Sequence, residues 1–167
     1  MGQSLTGFTL LELLLYVSIS SILLLSITTL LGVLVQSRVK NQVIGEVEQQ
    51  GVQIMQTMTQ TIRNATAITT PAIGASAASL SLTVPTSAKS STVFDSASSV
   101  VRITEGAGTA VSLSNSRITA SGLTFQNLSR ASTPGIVRIQ FVLTHVNPSG
   151  RGEYIYTKTF YGSAGIR

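Results

Sequence analysis

Six carboxylates occur in the 167 residues, and one of them, Glu12, sits where a carboxylate is least welcome. From Phe8 to Val35 the chain is mostly Leu, Ile, Val, Ser and Thr, with Phe8, Tyr16 and Gly32 and no other charge. An acid inside an apolar layer costs several kcal/mol unless paired or neutralised, so it is read first as a functional residue. The other chemistry-bearing residues are sparse. There is no cysteine, which excludes a disulfide framework, a thiolate metal site and a cysteine nucleophile. His145 is the only histidine and falls near a strand end, where a rim position is expected rather than a catalytic one. Asp95, Glu105 and Glu153 are too scattered for an oxygen-rich cation site, and Gly106-Ala107-Gly108 reads as a turn rather than a phosphate loop. The sequons at Asn64 and Asn127 are weak signals in so Ser/Thr-rich a chain. No enzyme, cofactor or metal is expected. The net charge of +5 comes mostly from beyond residue 64. Arg102, Arg117, Arg130, Arg138, Arg151 and Lys158 are possible nucleic-acid contacts, although they are dispersed rather than gathered into a stripe.

These residues need elements to hold them. Residues 8–35 make a helix of about 42 Å, longer than the roughly 30 Å hydrocarbon core of a bilayer. Its hydroxyl residues do not forbid spanning, because a helical Ser or Thr can bond back to a carbonyl one turn earlier. The run is too long for a cleaved secretory signal, and no small-x-small site follows it. A plain signal anchor leaves Glu12 unexplained. Beyond Val35 the pattern changes to a single stripe of Val39, Val43, Val47, Ile54, Met58 and Ile62, with Ile44 and Met55 alongside. Gly45 and Gly51 interrupt it and point to close packing or mild flexibility. The spacing predicts one helix over 8–65, roughly 85 Å long, apolar on all sides in its first half and on one side in its second. The second half needs one partner, and a sheet from the rest of the chain supplies it.

Residues 66–78 read as a linker loop. Strand-like runs follow at 79–84, 98–104, 109–114, 116–120 and 123–128. The clearest signal is a hairpin: 135–146 alternates Val137, Ile139, Phe141 and Leu143, 147–152 is a loop, and 153–161 returns. The expected fold class is α+β, one long N-terminal helix packed on a C-terminal antiparallel sheet, with a β-rich domain over 79–167.

The stretch Gly7-Phe8-Thr9-Leu10-Leu11-Glu12, set after a short polar leader and before the apolar run, resembles the class III signal of type IV pilins and pseudopilins. The resemblance implies a leader over 1–7, cleavage between Gly7 and Phe8 by a prepilin peptidase, and methylation of the new amine on Phe8. It implies an apolar half over 8–35 that anchors the subunit in the cytoplasmic membrane and then packs the filament core, and an amphipathic half over 36–65. Glu12 would pair with the amine of a neighbouring subunit. Implied partners are other pilin or pseudopilin subunits, the peptidase and an inner-membrane assembly platform. The globular domain would lie outside the cytoplasm, and later in an extracellular or periplasmic filament. Two features depart from the family pattern. The leader has no Lys or Arg, so either the start codon lies further upstream or the leader is atypical. Thr29 stands where major pilins commonly carry a helix proline, which tilts the reading toward a minor pilin or pseudopilin. The later stretches, including RNATAI, LTFQNL and the TFYGSAGIR ending, are similar in a general way to minor pilins and to J-type and H-type pseudopilins. Two other readings stay open: a DNA-binding minor pilin of a competence filament, and a single-pass anchored domain that never polymerises.

Overall fold

The structure, a computed structural model, describes residues 9–167. It is α+β: one N-terminal helix, α1 (Leu10–Arg63), followed by nine strands. The chain divides into two compact units, Met1–Val39 and Lys40–Arg167, and the boundary falls inside α1.

In the first unit the described residues are helical from Leu10 onward, and every side chain from Leu13 to Arg38 is exposed. Five of the hydroxyls are satisfied within the helix. Ser18 donates to Leu15 O (2.9 Å), Ser21 to Val17 O (2.7 Å), Ser26 to Ile22 O (2.9 Å) and Thr28 to Leu24 O (2.8 Å), while Thr29 donates to Leu25 O and Ser26 O. What remains outward is hydrocarbon. By length and composition the helix is apolar enough to cross a membrane.

In the second unit, residues 40–63 of α1 bury one stripe: Val43, Val47, Gly51, Ile54, Met58 and Ile62. The strands β1 (Ala67–Thr70), β3 (Leu80–Thr83), β4 (Thr92–Ala97), β5 (Val100–Thr104) and β6 (Val111–Ser112) form one sheet in that order. A second sheet has the order β2 (Ser76–Ala77), β7 (Ile118–Asn127), β8 (Ile136–His145), β9 (Thr157–Gly165). All pairings are antiparallel. The helix stripe shares one core with Leu80, Leu82, Phe94 and Val101 of the first sheet and Phe125, Ile139, Phe141 and Leu143 of the second. Each large side chain so buried contributes about 1.5–3 kcal/mol relative to exposure.

The late hairpin forms as expected, and Val137, Ile139, Phe141 and Leu143 all point inward. Other expectations are corrected. The stretch 66–78 carries β1 and β2 rather than only loop. The sheet is two sheets. The runs at 116–120 and 123–128 are one strand, β7, whose pairing shifts register between Ser121 and Thr124, where Gly122 has φ +59°. The return strand starts later and ends later than 153–161, because Gly152–Tyr154 form a short 3₁₀ turn.

α1 runs along β9 at close quarters. A Cβ at Gly51 would be driven into the Phe160 ring, and one at Gly162 into the Met55 thioether. Gly51 is therefore a close-packing position, whereas Gly45 faces open space. Phe160 in turn stacks on Phe141, with ring centroids 5.3 Å apart.

Candidate functional site

Glu12 lies in the first turn of α1, with Thr9 immediately before the helix. The Glu12 N–H donates to Thr9 Oγ1 (3.3 Å) and to Thr9 O (3.0 Å). This is the arrangement of an N-cap, and Thr9-x-x-Glu12 ahead of an apolar run is the sequence signature of a capping box. That signature was present in the residues and complements the membrane reading of Glu12. One turn on, the Tyr16 hydroxyl donates to Glu12 Oε1 (3.3 Å). The positive end of the helix dipole also favours a carboxylate in the first turn. Glu12 is thus held in place by its own helix, yet keeps oxygen lone pairs for an external cation. Gly7 and Phe8, the residues of the expected cleavage and methylation, lie outside the described residues.

The cations singled out from the sequence do not gather into one surface. Arg102 makes a two-pronged pair with Asp95, Nε to Oδ1 at 2.9 Å and Nη2 to Oδ2 at 2.7 Å across β4 and β5, which raises its guanidinium pKa above the ordinary value through that hydrogen bond. Arg151 pairs with Glu153 at 2.5 Å, and Lys158 with Glu48 at 2.6 Å. Arg117 approaches Glu46 at 3.8 Å. Arg130 and Arg138 have no carboxylate within 4.0 Å among the described residues, and Arg138 reaches only Gln126 Oε1, at 3.4 Å.

Two acids on α1 bond to the β-rich part of the second unit, which the sequence did not signal. Glu46 accepts from Asn115 Nδ2 (2.9 Å) and lies 3.7 Å from His145 Nε2, while Gln50 accepts from the Asn115 N–H (3.2 Å). His145 is not a rim residue: it is buried, and its ring stacks on Tyr154 at 5.8 Å. Glu48 accepts from Lys158 and from the Tyr156 hydroxyl (3.2 Å). The Lys158 hydrogen bond and its charge hold the Glu48 carboxyl below the usual carboxylate range, and Glu48 raises Lys158 in return. Among the described residues, no three of His, Asp and Glu gather where they could hold a metal ion. No protein-family model, no curated protein and no solved structure matches this chain.

Proposed function

We propose that the chain is a structural subunit of a type IV pilus or pseudopilus, a prepilin cut between Gly7 and Phe8, methylated on Phe8 and assembled through the first half of α1. The observation that carries this reading is a helix apolar on every side with a single carboxylate in its first turn, continuous with a half that packs a β-rich domain. Eighteen large apolar side chains between Leu10 and Val35 stand exposed, far more than water tolerates on one surface. Lipid before assembly and neighbouring helices afterwards both satisfy them. Glu12 then meets the amine of a neighbouring subunit, and the two charges compensate each other in an apolar surround. A misplaced subunit leaves both unmatched, so the pair sets register. The missing proline at position 29 favours a minor component. The domain is placed outside the cytoplasm, and the peptidase and an inner-membrane assembly platform are the expected partners.

The test is the mass of the mature N-terminus after coexpression with a prepilin peptidase. A species beginning at methylated Phe8 supports the proposal, and an intact Met1 chain refutes processing in favour of a plain anchored domain. Glu12→Gln should abolish incorporation into filaments while leaving the thermal melt of the domain unchanged.

A further inference from the structure

Charge is compensated unevenly in Lys40–Arg167. All five of its carboxylates are already engaged within the chain: Glu46 with Asn115, His145 and Arg117, Glu48 with Lys158, Asp95 with Arg102, Glu105 with Lys89, and Glu153 with Arg151. Lys40, Arg63, Arg130, Arg138 and Arg167 have no carboxylate within 4.0 Å among the described residues. Three of these five, Arg63, Arg130 and Arg167, converge on one end of the unit. The Arg167 N–H donates to Arg63 O (3.4 Å), the Ile166 N–H to Gly135 O (2.8 Å), and Arg130 sits in the 128–135 loop, where Thr133 Oγ1 donates to its carbonyl (2.9 Å). Arg138 follows Ile136 on the outward face of β8.

The surround of Arg130 is mixed. It borders two open hollows that share Thr133, Pro134 and Ile166; one adds Leu128 and Ile136, and the other adds Ile68 and Ile73 beside the hydroxyls of Thr66, Ser129 and Ser132. Ile73 is 62% exposed and Ile136 45%. The loop is pinned from below, because Asn127 donates to Pro71 O (2.8 Å) and accepts from the Ser129 N–H (3.0 Å).

We propose that this pole docks a protein partner other than a second copy of this chain, one that presents carboxylates beside apolar side chains. A second copy is a poorer match, because each side-chain carboxylate in residues 40–167 already answers a cation of its own chain and would have to share it. A nucleic acid would be served by aromatic faces beside the cations, whereas neither hollow has an aromatic residue in its lining. An arginine set among aliphatic side chains and hydroxyl groups matches the mixed composition of protein interfaces, in which arginine is enriched. Arg63 also faces the carbonyl end of α1, which offsets part of its charge, so Arg130 is the central contact. The proposal rests on residues 63–167 and is independent of the filament reading.

Fluorescence anisotropy with the full chain in detergent micelles tests it, using three labelled probes: a peptide alternating Glu and Leu, the same peptide with Gln for Glu, and a single-stranded oligothymidylate. The Glu/Leu peptide should bind the wild type, and the Gln version about tenfold or more weaker. Arg130→Glu should weaken the Glu/Leu peptide by about tenfold or more, Arg130→Gln by less, and Lys89→Gln, at a cation already paired, not at all. Three results overturn the proposal: no Glu/Leu binding at low salt, Glu/Leu binding indifferent to Arg130→Glu, or tighter binding of the oligothymidylate that Arg130→Glu removes. Sedimentation completes the test, since a wild-type homo-oligomer dissolved by Arg130→Glu would make the pole a self-contact instead.

Discussion

The two stretches of α1 divided at Val39 obey opposite rules. In residues 10–35 five hydroxyls are turned inward onto the helix backbone and, around the lone Glu12 and Ser20, hydrocarbon faces out on every side. In residues 40–63 the buried hydrocarbon forms one stripe, Val43, Val47, Ile54, Met58 and Ile62, while Gln42, Gln49, Gln53, Gln56 and Gln60 face outward and Val52 is the one large apolar side chain exposed among them. The same secondary structure therefore serves two environments, and side-chain placement alone decides which. The lesson is that helix propensity says little about a helix's purpose, whereas the width of its apolar face says nearly all of it.

Paired substitutions sharpen or break this contrast. The largest effect is expected from truncation of the buried stripe: Met58→Ala should destabilise Lys40–Arg167 by about 2–5 kcal/mol, while Leu24→Ala leaves that unit's denaturant midpoint unmoved. Equal losses from the two would erase the distinction. Next comes Gly51→Val, which forces side-chain volume into the Phe160 ring and should cost about 1–3 kcal/mol. Combining it with Phe160→Ala should recover part of that loss, giving a double-mutant coupling that simple helix propensity does not produce. In the first half, Thr9→Ala removes the cap on the Glu12 N–H. Amide exchange of the first helical turn should then rise by an amount equivalent to about 0.5–2 kcal/mol, with the domain melt unchanged.

The smallest effect is a pH dependence. Because Lys158 lowers the folded-state pKa of Glu48, the stability this pair supplies is present above the ordinary carboxylate pKa of 4.5 and is lost as pH falls through the lower folded value. Lys158 is raised, so its share is present below 10.5 and lost as pH rises through the higher folded value. Glu48→Gln should therefore melt slightly below wild type at neutral pH, and the two curves should merge in acid. A gap that persists in acid would mean that Glu48 acts by packing instead.

Much of this was legible in the residues. The stripe from Val43 to Ile62 follows the helical period with Gly51 at one buried position, and the Val137 to Leu143 alternation belongs to a strand with one dry face. The failures have physical causes. β4 was missed because its inward residues are Thr92 and Phe94, and the Thr92 hydroxyl is buried by bonding to Lys89 O (2.9 Å), so the alternation is not one of hydrophobicity. β1 was missed because four residues ahead of Pro71 resemble a linker. The end of β9 was missed because Gly162 and Ala164 point inward, where Met55 leaves no room for larger side chains. The split into two sheets depends on pairings between distant segments, such as β2 with β7, that no local pattern encodes. At the candidate site the lone acid was plain from composition and the Thr9-x-x-Glu12 spacing carried a capping signature, but the Tyr16 donor emerges only when the turn is built.

The back-bonded hydroxyls of residues 18–29 have one more consequence. Hydroxyls answered by their own helix carry that hydrogen bonding with them whatever surrounds the helix. Under the filament proposal, exchanging acyl chains for protein neighbours would leave these bonds intact, and the balance would be set by van der Waals fit and by the partner found for one carboxylate.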